Sequence, residues 1–599
     1  MNQLKCPTQI HLGLQGQTTI VVSWANNSRR LAAIRDALAD LGIAVSTDWK
    51  KRELYMPLHA LQSVCDGLQN EAVLIEPPLQ EQLNALRNGQ HNVRLAKKVV
   101  TEVASTATAY GALSDFPEVQ LLDVHQVQAV AAATHPVVKG LCLFDEQGLG
   151  KTVTALFSFH RLRQRELIRK MLVICPKNMV FEWQRDAMTF FDGTYTCRAV
   201  TGSQQEKRKS LAAHADIYVT NFETAIRLQF KLRTLLEAEE GHVLLVVDES
   251  FYVKNTQALR SRAVRSLRKH VERCLVLCGT PAPNRPHDLV EQFNIADNGI
   301  AFSGIEIPDD RRAAMPIVQD VLNERGVYLR RLKQDVLPDL PGKTFQQVLV
   351  PLAPQQERLY ADCLNDYIVR LESCDDAAFR KNRASFIAHR VRLLQICSNP
   401  VGIDGRYREL PAKLQALDSI LEELVERRRE KVIVWCYFTA SLQAIIDRYV
   451  QYNAVRIDGK ISDISARGEA VRRFQQDDAT RLFVANIAAA SAGLTLHKAR
   501  YAIYESLSNQ AAHYLQSLDR IHRRGQTRPV EYIVLLCDRT IEAQQYSTLL
   551  QKEKASQLLL GDEAAVQITR QTLLAEAKEA KRILIFAIGN ESGTNSMLQ

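Results

Sequence analysis

Continuous apolar runs that end in polar or glycine residues recur through the first half of the chain. The runs are LCLF (141–144), MLVIC (171–175), DIYVTN (216–221), HVLLVV (242–247) and RCLVLC (273–278). Runs of this length without polar alternation are typical of strands that are buried on both faces, as in parallel sheets. The segments between them are long enough for helices, so the pattern predicts a doubly wound parallel sheet with helices on both faces.

The same pattern begins again in the second half. The runs there are KVIVWCYFT (431–439), AVRIDG (454–459), RLFVANIAAASAGLTL (481–496), RYAIYES (500–506) and VEYIVLLC (530–537). We therefore predict a second parallel-sheet lobe, which lacks the glycine-rich loop found in the first.

Shorter patterns at the N-terminus, TTIVVSW (18–24), IAVS (43–46) and ELYMPL (53–58), predict a small, separate α/β module. The predicted class is thus α/β, with two doubly wound parallel-sheet lobes and a small N-terminal module. The predicted domains are an accessory module (1–70), a helical connector (71–115), lobe 1 (116–300), a joint segment (301–345), a helical region (346–430), lobe 2 (431–560) and a C-terminal helix and tail (561–599).

Lobe 1 contains a glycine-rich loop, DEQGLGKT (145–152), between a predicted strand and a predicted helix. Gly148 and Gly150 allow backbone N–H groups to approach an anion closely. Lys151 can reach the outer phosphates of a nucleotide, and the Thr152 hydroxyl can bind Mg²⁺. Asp145 stands where the strict phosphate-loop pattern has glycine, so an ordinary glycine turn before a helix is the alternative.

Two adjacent carboxylates, Asp248 and Glu249, follow the run HVLLVV directly. Ligands bind at the carboxyl ends of strands in open α/β sheets. One carboxylate can hold Mg²⁺ while the other orients or deprotonates a water molecule. Gln126, about twenty residues before the loop, can pair with adenine because its amide both donates and accepts hydrogen bonds. The alternative for the two carboxylates is a helix cap, and the alternative for Gln126 is a glutamine on the protein surface.

Lobe 2 offers two arginines in QSLDRIHRRGQ (516–526). At helical spacing, Arg520 and Arg523 are at i and i+3, which places both on one face of a helix. From there the guanidinium groups can reach across a cleft to γ-phosphate oxygens and stabilise the charge of the transferred phosphoryl group. A solvated basic helix is the alternative.

Composition adds less than the motifs do. A formal net charge of +9 over 599 residues fits a nucleic-acid partner but also fits many metabolic enzymes. The twelve cysteines form no C-x2-C pair, so a zinc site is not indicated, and a reduced cytoplasm is the simplest setting. We see neither a signal peptide nor a membrane span, and expect a location in a prokaryotic or phage-host cytoplasm.

Taken together, residues 115–560 resemble the Swi/Snf-type helicase-like ATPases of helicase superfamily two. The motifs that carry the resemblance, in the family's order, are DEQGLGKT, CPKNMVFEW, TNFE, DESFYVKN, LCGTPAPN, YLRRLKQDVLPDLPGK, VIVWCYFTASL, RIDGKISDISARGEAVRRF, SAGLTL and QSLDRIHRRGQ. The short SAGLTL and the N-terminal module most resemble the annealing-helicase branch, in which a HARP-type module stands beside the motor. A plain docking domain is the alternative for the N-terminal module. The resemblance implies two RecA-like lobes, with ATP and Mg²⁺ as cofactors.

The resemblance also assigns roles to residues. The implied ATP contacts are Gln126, Asp145, Glu146, Gly148, Leu149, Gly150, Lys151, Thr152 and Gly493. The implied metal ligands are Thr152 and Asp248. The implied catalytic residues are Lys151, Asp248, Glu249, Arg520 and Arg523. The implied DNA contacts are Lys177, Asn221, Thr280 and Thr495. One departure is Phe251, which stands where the family often has a histidine or glutamine after the Asp-Glu box.

The expected function is therefore an ATP-dependent translocase or remodeller of double-stranded DNA, with fork remodelling or strand annealing in DNA repair as finer possibilities. A strand-separating DNA or RNA helicase, the motor subunit of a defence or restriction complex, and a non-enzymatic scaffold are the alternatives. The expected partner is duplex or forked DNA, bound without sequence preference, together with a repair, replication or defence protein.

Overall fold

In a computed structural model, the chain forms two compact units, residues 1–145 with 150–330, and residues 146–149 with 331–599. The residues that the structure describes are 10–16, 19–23, 28–40, 43–68, 72–279, 281, 286–459, 464–490, 494–508, 510–557 and 569–594. In that part of the chain, no helix is both long enough and apolar enough to cross a membrane.

The N-terminal module of the first unit is a five-stranded sheet. Its strands are β1 (Ile10–Gln15), β2 (Thr19–Ser23), β3 (Ser46–Asp48), β4 (Glu53–Pro57) and β5 (Val73–Ile75), and its helices are α1 (Ser28–Asp40) and α2 (Leu61–Gly67). The strand order is β3-β4-β2-β1-β5, with β5 parallel to β1 and the other pairs antiparallel. Strands β1 and β5 were not predicted, and β5 lies past residue 70, the predicted end of the module. A three-residue strand has no readable period, and pairing with β1 stabilises it.

A long helix, α3 (Pro77–Glu102), joins the module to the rest of the first unit and is followed by α4 (Thr106–Ala112). Its first turns pack into the module core through Leu79 and Leu83. Its last turns pack through Val93 and Val100 into the core of the large sheet. The segment that separates the two parts in sequence is therefore shared by both cores.

The large sheet of the first unit is entirely parallel, in the order β12-β6-β11-β10-β7-β9-β8. Its strands are β6 (Gly140–Leu143), β7 (Lys170–Cys175), β8 (Cys197–Ala199), β9 (Ile217–Asn221), β10 (Val243–Val247), β11 (Arg273–Leu277) and β12 (Tyr328–Leu329). Its helices are α5 (Val124–Thr134), α6 (Lys151–Gln164), α7 (Val180–Phe191), α8 (Gln204–Ala212), α9 (Phe222–Arg227), α10 (Gln229–Ala238), α11 (Leu259–Arg268), α12 (His287–Asp297) and α13 (Arg311–Arg325).

The second unit contains another entirely parallel sheet, in the order β13-β18-β17-β14-β16-β15. Its strands are β13 (Lys343–Val350), β14 (Val432–Cys436), β15 (Val455–Ile457), β16 (Leu482–Asn486), β17 (Tyr501–Tyr504) and β18 (Val530–Cys537). Its helices are α14 (Lys333–Val336), α15 (Pro354–Glu372), α16 (Asp376–Ser398), α17 (Ala412–Leu421), α18 (Thr439–Arg448), α19 (Ile464–Gln476), α20 (Ile487–Ala490), α21 (Ala511–Leu518), α22 (Glu542–Gln557) and α23 (Arg570–Thr594). The predicted fold class, with two doubly wound parallel sheets and a small α/β module, is confirmed.

Three edge strands, β8, β12 and β13, were not predicted. Tyr328 and Leu329 pair with β6, and β13 pairs along its whole length with β18, from Lys343 opposite Val530 to Val350 opposite Cys537. Most residues of β13 are exposed, so its sequence lacks the apolar run that marks a central strand. Pairing with a buried neighbour, rather than its own pattern, makes this segment a strand.

The C-terminal helix α23 packs on the second unit. Leu573, Ala577 and Ala580 are buried in one core with residues of α15 and α16. Arg390 donates to both carboxylate oxygens of Glu576, at 2.8 and 2.7 Å. Although residues 561–599 contain no recognisable motif, part of this segment belongs to the second unit's core.

We predict that Leu573→Ala lowers the free energy of unfolding of the second unit by about 2–4 kcal/mol, because it leaves a cavity between α23 and α15. Leu573 is 4% exposed, whereas Ile583 on the same helix is 41% exposed. Ile583→Ala is therefore the matched control and should change the free energy by less than about 0.5 kcal/mol. Chemical denaturation followed by circular dichroism measures both; equal effects would show that α23 is not packed as described.

Candidate functional site

The glycine-rich loop joins β6 to α6, and the helix begins at Lys151 as the sequence predicts. Gly148 has φ +88° and Gly150, the residue before the helix, has φ +76°. Side chains with a Cβ rarely adopt this left-handed region, so both positions favour glycine. The turn therefore has the strand, loop and helix arrangement that presents backbone N–H groups and a helix N-terminus to a phosphate.

Lys151 is only 8% exposed, and its ammonium donates to the carbonyl oxygen of Asp145 at 2.7 Å. The side chain thus lies over its own loop, where its charge is available to an anion held by the loop. Thr152, the second residue of α6, is half-buried. Asp145 is buried at the start of the loop.

Gln126 lies against the phosphate loop. It is the third residue of α5, and its side-chain oxygen accepts a hydrogen bond from the backbone N–H of Asp123 at 3.0 Å, which forms a capping box. A Cβ built on Gly150 would lie 2.3 Å from Gln126 Nε2. The structure therefore brings Gln126 and the loop together and gives the glutamine a structural role; its adenine contact stays a prediction.

Asp248 and Glu249 follow β10 directly, in the middle of the sheet. Both residues are 3% exposed. Asp248 Oδ2 accepts a hydrogen bond from the Trp183 indole N–H at 2.8 Å, and Oδ1 accepts one from the backbone N–H of Glu249 at 2.8 Å. Glu249 has φ +49° and ψ +53°, an uncommon conformation for a residue other than glycine. Strain of this kind is characteristic of functional sites.

Burial raises the pKa of the Asp248 carboxyl above its usual range, although the Trp183 hydrogen bond and the charge of Lys151 both act to lower it. A further positive charge would stabilise the ionised form of this buried carboxylate. Each of its oxygens keeps a lone pair after the two hydrogen bonds described above. These properties fit a ligand of Mg²⁺, and the half-buried Thr152 hydroxyl is of the same ligand class.

Phe251 has no polar group, but Ser250, the residue directly after the Asp-Glu box, connects the box by a hydrogen bond to α12. Ser250 Oγ donates to Gln292 Oε1 at 2.5 Å, and Gln292 Nε2 donates to the carbonyl oxygens of Pro281 and Asp288, both at 2.6 Å. Ser250 and Gln292 are both completely buried. The Phe251 ring instead packs against the Tyr252 ring, with centroids 4.4 Å apart and ring planes tilted by 32°. We call the chain Ser250–Gln292–Pro281 the serine–glutamine relay.

Glu146 and Leu149, two further predicted ATP contacts, group with the second unit. Glu146 Oε2 accepts a hydrogen bond from the backbone N–H of Lys333 at 2.7 Å. Lys333 Nζ in turn forms an ion pair with Asp519 and donates to the carbonyl oxygen of His522 at 2.9 Å. Leu149 is 2% exposed, which favours a packing role for its side chain.

The four predicted DNA contacts differ in their surroundings. Lys177 is exposed just after β7. Asn221 ends β9, is 6% exposed and caps α9 by accepting a hydrogen bond from the Thr224 N–H at 2.8 Å. Thr495 is half-buried in the second unit. Thr280, like the predicted ATP contact Gly493, lies outside the described residues.

The helical placement of Arg520 and Arg523 is wrong, because α21 ends at Leu518. The Arg520 carbonyl accepts a hydrogen bond from the backbone N–H of Leu496 at 3.0 Å, so it is used by a tertiary contact. Both guanidinium groups nevertheless converge, since each donates to the carbonyl oxygen of Leu494, at 3.1 Å from Arg520 and 3.4 Å from Arg523. A turn, not a helix face, brings the two arginines together.

Two functional candidates were missed by the sequence analysis, which gave neither of them a role. Trp183 carries the hydrogen bond to Asp248, and Gln292 forms the centre of the serine–glutamine relay. Trp183 stands within the motif CPKNMVFEW, so its presence near a strand end was a usable signal. No local pattern singles out Gln292 among the other glutamines.

A glycine loop with a buried lysine, and an Asp-Glu pair at the end of a central parallel strand, define a nucleotide-hydrolase core of the helicase-like class. Residues 80–401 match the family model described as SNF2-related domain, and residues 412–525 match the helicase conserved C-terminal domain. The chain therefore belongs to the SNF2-related helicase-like ATPases, as its motifs predicted.

Several curated relatives are similar to the chain. One is the ISWI chromatin-remodeling complex ATPase ISW1 of Saccharomyces cerevisiae, 26% identical over 73% of this chain and 40% of the yeast protein. Another is SWI/SNF-related matrix-associated actin-dependent regulator of chromatin subfamily A-like protein 1 of Xenopus tropicalis, 25% identical over 69% of this chain and 42% of that protein. A third is DNA annealing helicase and endonuclease ZRANB3 of Mus musculus, 24% identical over 70% of this chain and 39% of that protein. The chain spans about two fifths of the length of these relatives.

Among solved structures, the Sulfolobus solfataricus SWI2/SNF2 ATPase core in complex with dsDNA is 20% identical to this chain. The match covers 77% of this chain and 96% of that chain, with a TM-score of 0.34.

We predict that Trp183→Phe raises the Mg²⁺ concentration for half-maximal ATP hydrolysis about tenfold, because it removes the donor that orients Asp248. Trp435→Phe is the matched control, since Trp435 is also fully buried but its indole N–H donates to no group within the described residues. A magnesium titration of ATPase rate distinguishes the two; equal responses would remove Trp183 from the site.

We also predict that Gln292→Leu and Ser250→Ala each lower kcat about tenfold and leave KM for ATP unchanged, because the turn after Glu249 loses its support. If the two residues act as one unit, the double variant should be no slower than the slower single variant. Steady-state kinetics of the four proteins tests this; strictly multiplicative effects would show that the relay does not act as a unit.

Proposed function

We propose that this protein is a DNA-dependent ATPase that couples ATP hydrolysis to movement along double-stranded DNA. The observation that carries the proposal is the grouping of Lys151, Gln126 and the buried Asp248 and Glu249 at the carboxyl ends of β6 and β10. Family membership supports the same activity, since the motifs in the site are those of helicase-like ATPases.

In the proposed reaction, the glycine loop and Lys151 bind the phosphates of ATP, and Gln126 reads the adenine edge. Thr152 and Asp248 would hold Mg²⁺, which supplies positive charge to the phosphate oxygens when bound. Glu249 orients and polarises the attacking water. Asp145, Gly148 and Gly150 shape the loop, and Trp183 fixes the orientation of Asp248.

The transition-state role of Arg520 and Arg523 follows from the family resemblance. The convergence of their guanidinium groups on one carbonyl oxygen supports a paired action, because two held cations can share the charge of a phosphoryl group. We propose Arg523 as the main donor, since Arg520 is 6% exposed and also donates to the carbonyl oxygen of Gln516 at 2.9 Å.

The DNA substrate is proposed from the family and from the net positive charge of the chain. Contacts from residues such as Lys177, Asn221, Thr280 and Thr495 would go to the phosphate backbone, so binding should be independent of sequence and weaken steeply with salt. Fork remodelling or strand annealing in DNA repair, with a repair, replication or defence partner, is the finer proposal. The name of the annealing-helicase relative and the N-terminal module support it.

We propose a cytoplasmic location.

We predict that duplex or forked DNA stimulates ATP hydrolysis by the wild-type protein and that Glu249→Gln reduces the stimulated kcat at least about 100-fold, because the attacking water loses its base. ATP binding by this variant should persist, whereas Lys151→Ala should weaken it. Hydrolysis is measured without nucleic acid and with duplex, forked DNA, single-stranded DNA and RNA.

Stimulation by RNA alone would favour an RNA helicase, and unwinding of a tailed duplex by the isolated protein would favour a strand-separating helicase. Absence of hydrolysis with every nucleic acid would overturn the proposal. Glu237→Gln is a suitable control, because Glu237 is an exposed carboxylate on α10 that forms an ion pair with Arg233 and belongs to none of the motifs.

A further inference from the structure

A cavity of about 1240 Å³ lies within the first unit, between the N-terminal module and the helices of the large sheet. One wall comes from the module and includes Pro57 and Ser63. The other wall is formed by α11, the end of α12 and the segment 298–307. Ser63 Oγ donates to the carbonyl oxygen of Gly304 at 3.3 Å, so the two walls are in contact beside the cavity. We call this space the module cavity.

One face of α11 supplies positive charge to the module cavity. Arg262, Arg265 and Ser266 of α11 all line it, at positions i, i+3 and i+4, and so does Lys269, the residue that directly follows the helix, at i+7. Val264 and Leu267 of the same helix are completely buried. The helix is therefore amphipathic, and three of the four residues on the face toward the cavity are cations.

Two of these cations have no partner in the part of the chain that the structure describes. Arg265 pairs with the buried Glu291 at 3.0 Å and donates to the carbonyl oxygen of Thr256 at 2.8 Å. The side chains of Arg262 and Lys269 form neither an ion pair nor a hydrogen bond with any described residue. Arg265 is thus held and neutralised by the protein, whereas Arg262 and Lys269 present uncompensated charge to the cavity.

The loop that shares this wall with the cations has a fixed shape. The Asp297 carboxylate accepts hydrogen bonds from the backbone N–H groups of Gly299, Ile300 and Ala301, at 2.9, 3.0 and 2.8 Å. The side chains of Asn294 and Asn298 line the same region. Glu306 is the one carboxylate among the described lining residues, against the two uncompensated cations Arg262 and Lys269. The site is thus positively charged and preorganised, which favours an anionic ligand.

We propose that the module cavity binds the phosphate backbone of a nucleic-acid strand, as a second DNA contact outside the ATP-binding core. This inference rests on the proposed function and extends it. Seven residues of helix separate Arg262 from Lys269, a rise of about 10 Å. That span matches the axial rise of about three successive phosphates on one strand.

The shape of the cavity favours a strand over a small phosphorylated molecule. Its volume exceeds the roughly 300–1,000 Å³ of common small-ligand pockets. Stacking of exposed bases is not favoured, because Phe302 is the one aromatic residue among the described lining residues and is 6% exposed. Contact through the backbone of a duplex or a fork arm is therefore the expected mode.

The test compares two double variants that each remove one arginine and one lysine charge. Arg262→Gln/Lys269→Gln removes the two unpartnered cations of the module cavity. Arg208→Gln/Lys209→Gln removes two exposed charges from α8 and is the control of equal net charge. The full chain is used, and thermal melting confirms that each variant is folded.

We predict that the cavity variant weakens binding to a labelled forked duplex about tenfold or more near 0.1 M salt. The slope of log K against log salt should fall by about one for each phosphate that the variant no longer neutralises. The DNA concentration for half-maximal ATPase stimulation should rise in parallel, while kcat at saturating DNA stays at the wild-type value. The α8 variant should match the wild type in all three measurements.

Equal behaviour of the two double variants would overturn the inference. A competition experiment with the Lys151→Ala protein gives a second way to overturn it. If inorganic pyrophosphate displaces the labelled duplex at an ionic strength where chloride does not, the cavity is a site for a small phosphorylated ligand. Absence of DNA-stimulated ATP hydrolysis in the wild type would overturn the proposed function, whereas the binding comparison would still test the cavity independently.

Discussion

The first unit depends on one electrostatic constraint, the burial of the Asp248 carboxylate at the end of a central parallel strand. A buried charge is costly unless hydrogen bonds and opposite charges compensate it. Here the Trp183 indole and the neighbouring backbone N–H supply hydrogen bonds, and Lys151 supplies the nearby charge. Three segments distant in sequence must therefore meet at one point, and the strand order β6-β11-β10-β7 is what brings them together.

The same constraint explains why the polar groups around the site are themselves buried and held by hydrogen bonds. Ser250 and Gln292 connect the turn after Glu249 to the Pro281 carbonyl, and Gln126 combines a helix-capping role with contact to Gly150. In a low-dielectric environment each of these groups needs a partner, so the network has little freedom to rearrange. Phe251 does not interrupt this network, because the serine–glutamine relay begins at the preceding residue, Ser250.

Sequence patterns predicted the central strands well and the edge strands poorly. The central strands are buried on both faces and so consist of apolar residues, whereas β12 has two residues and β13 is largely exposed. The spacing of Arg520 and Arg523 likewise predicted a helix face that the structure does not have. Arg520 instead lies in a turn beyond α21, where it forms hydrogen bonds with Leu496 and Leu494. Trp183 stood in a recognised motif, yet its acceptor Asp248 is 65 residues away.

The sequence by itself determined the fold class, the phosphate loop with its helix start at Lys151, and the carboxylates at a strand end, because each depends on short-range periodicity and local residue chemistry. Only the tertiary structure decided which donors hold Asp248, that Gln292 links Ser250 to Pro281, and that α23 belongs to the second unit's core. It also decided that Arg262 and Lys269 face a cavity shared with the N-terminal module. These features depend on contacts between residues far apart in the chain, which hydrophobic periodicity does not encode.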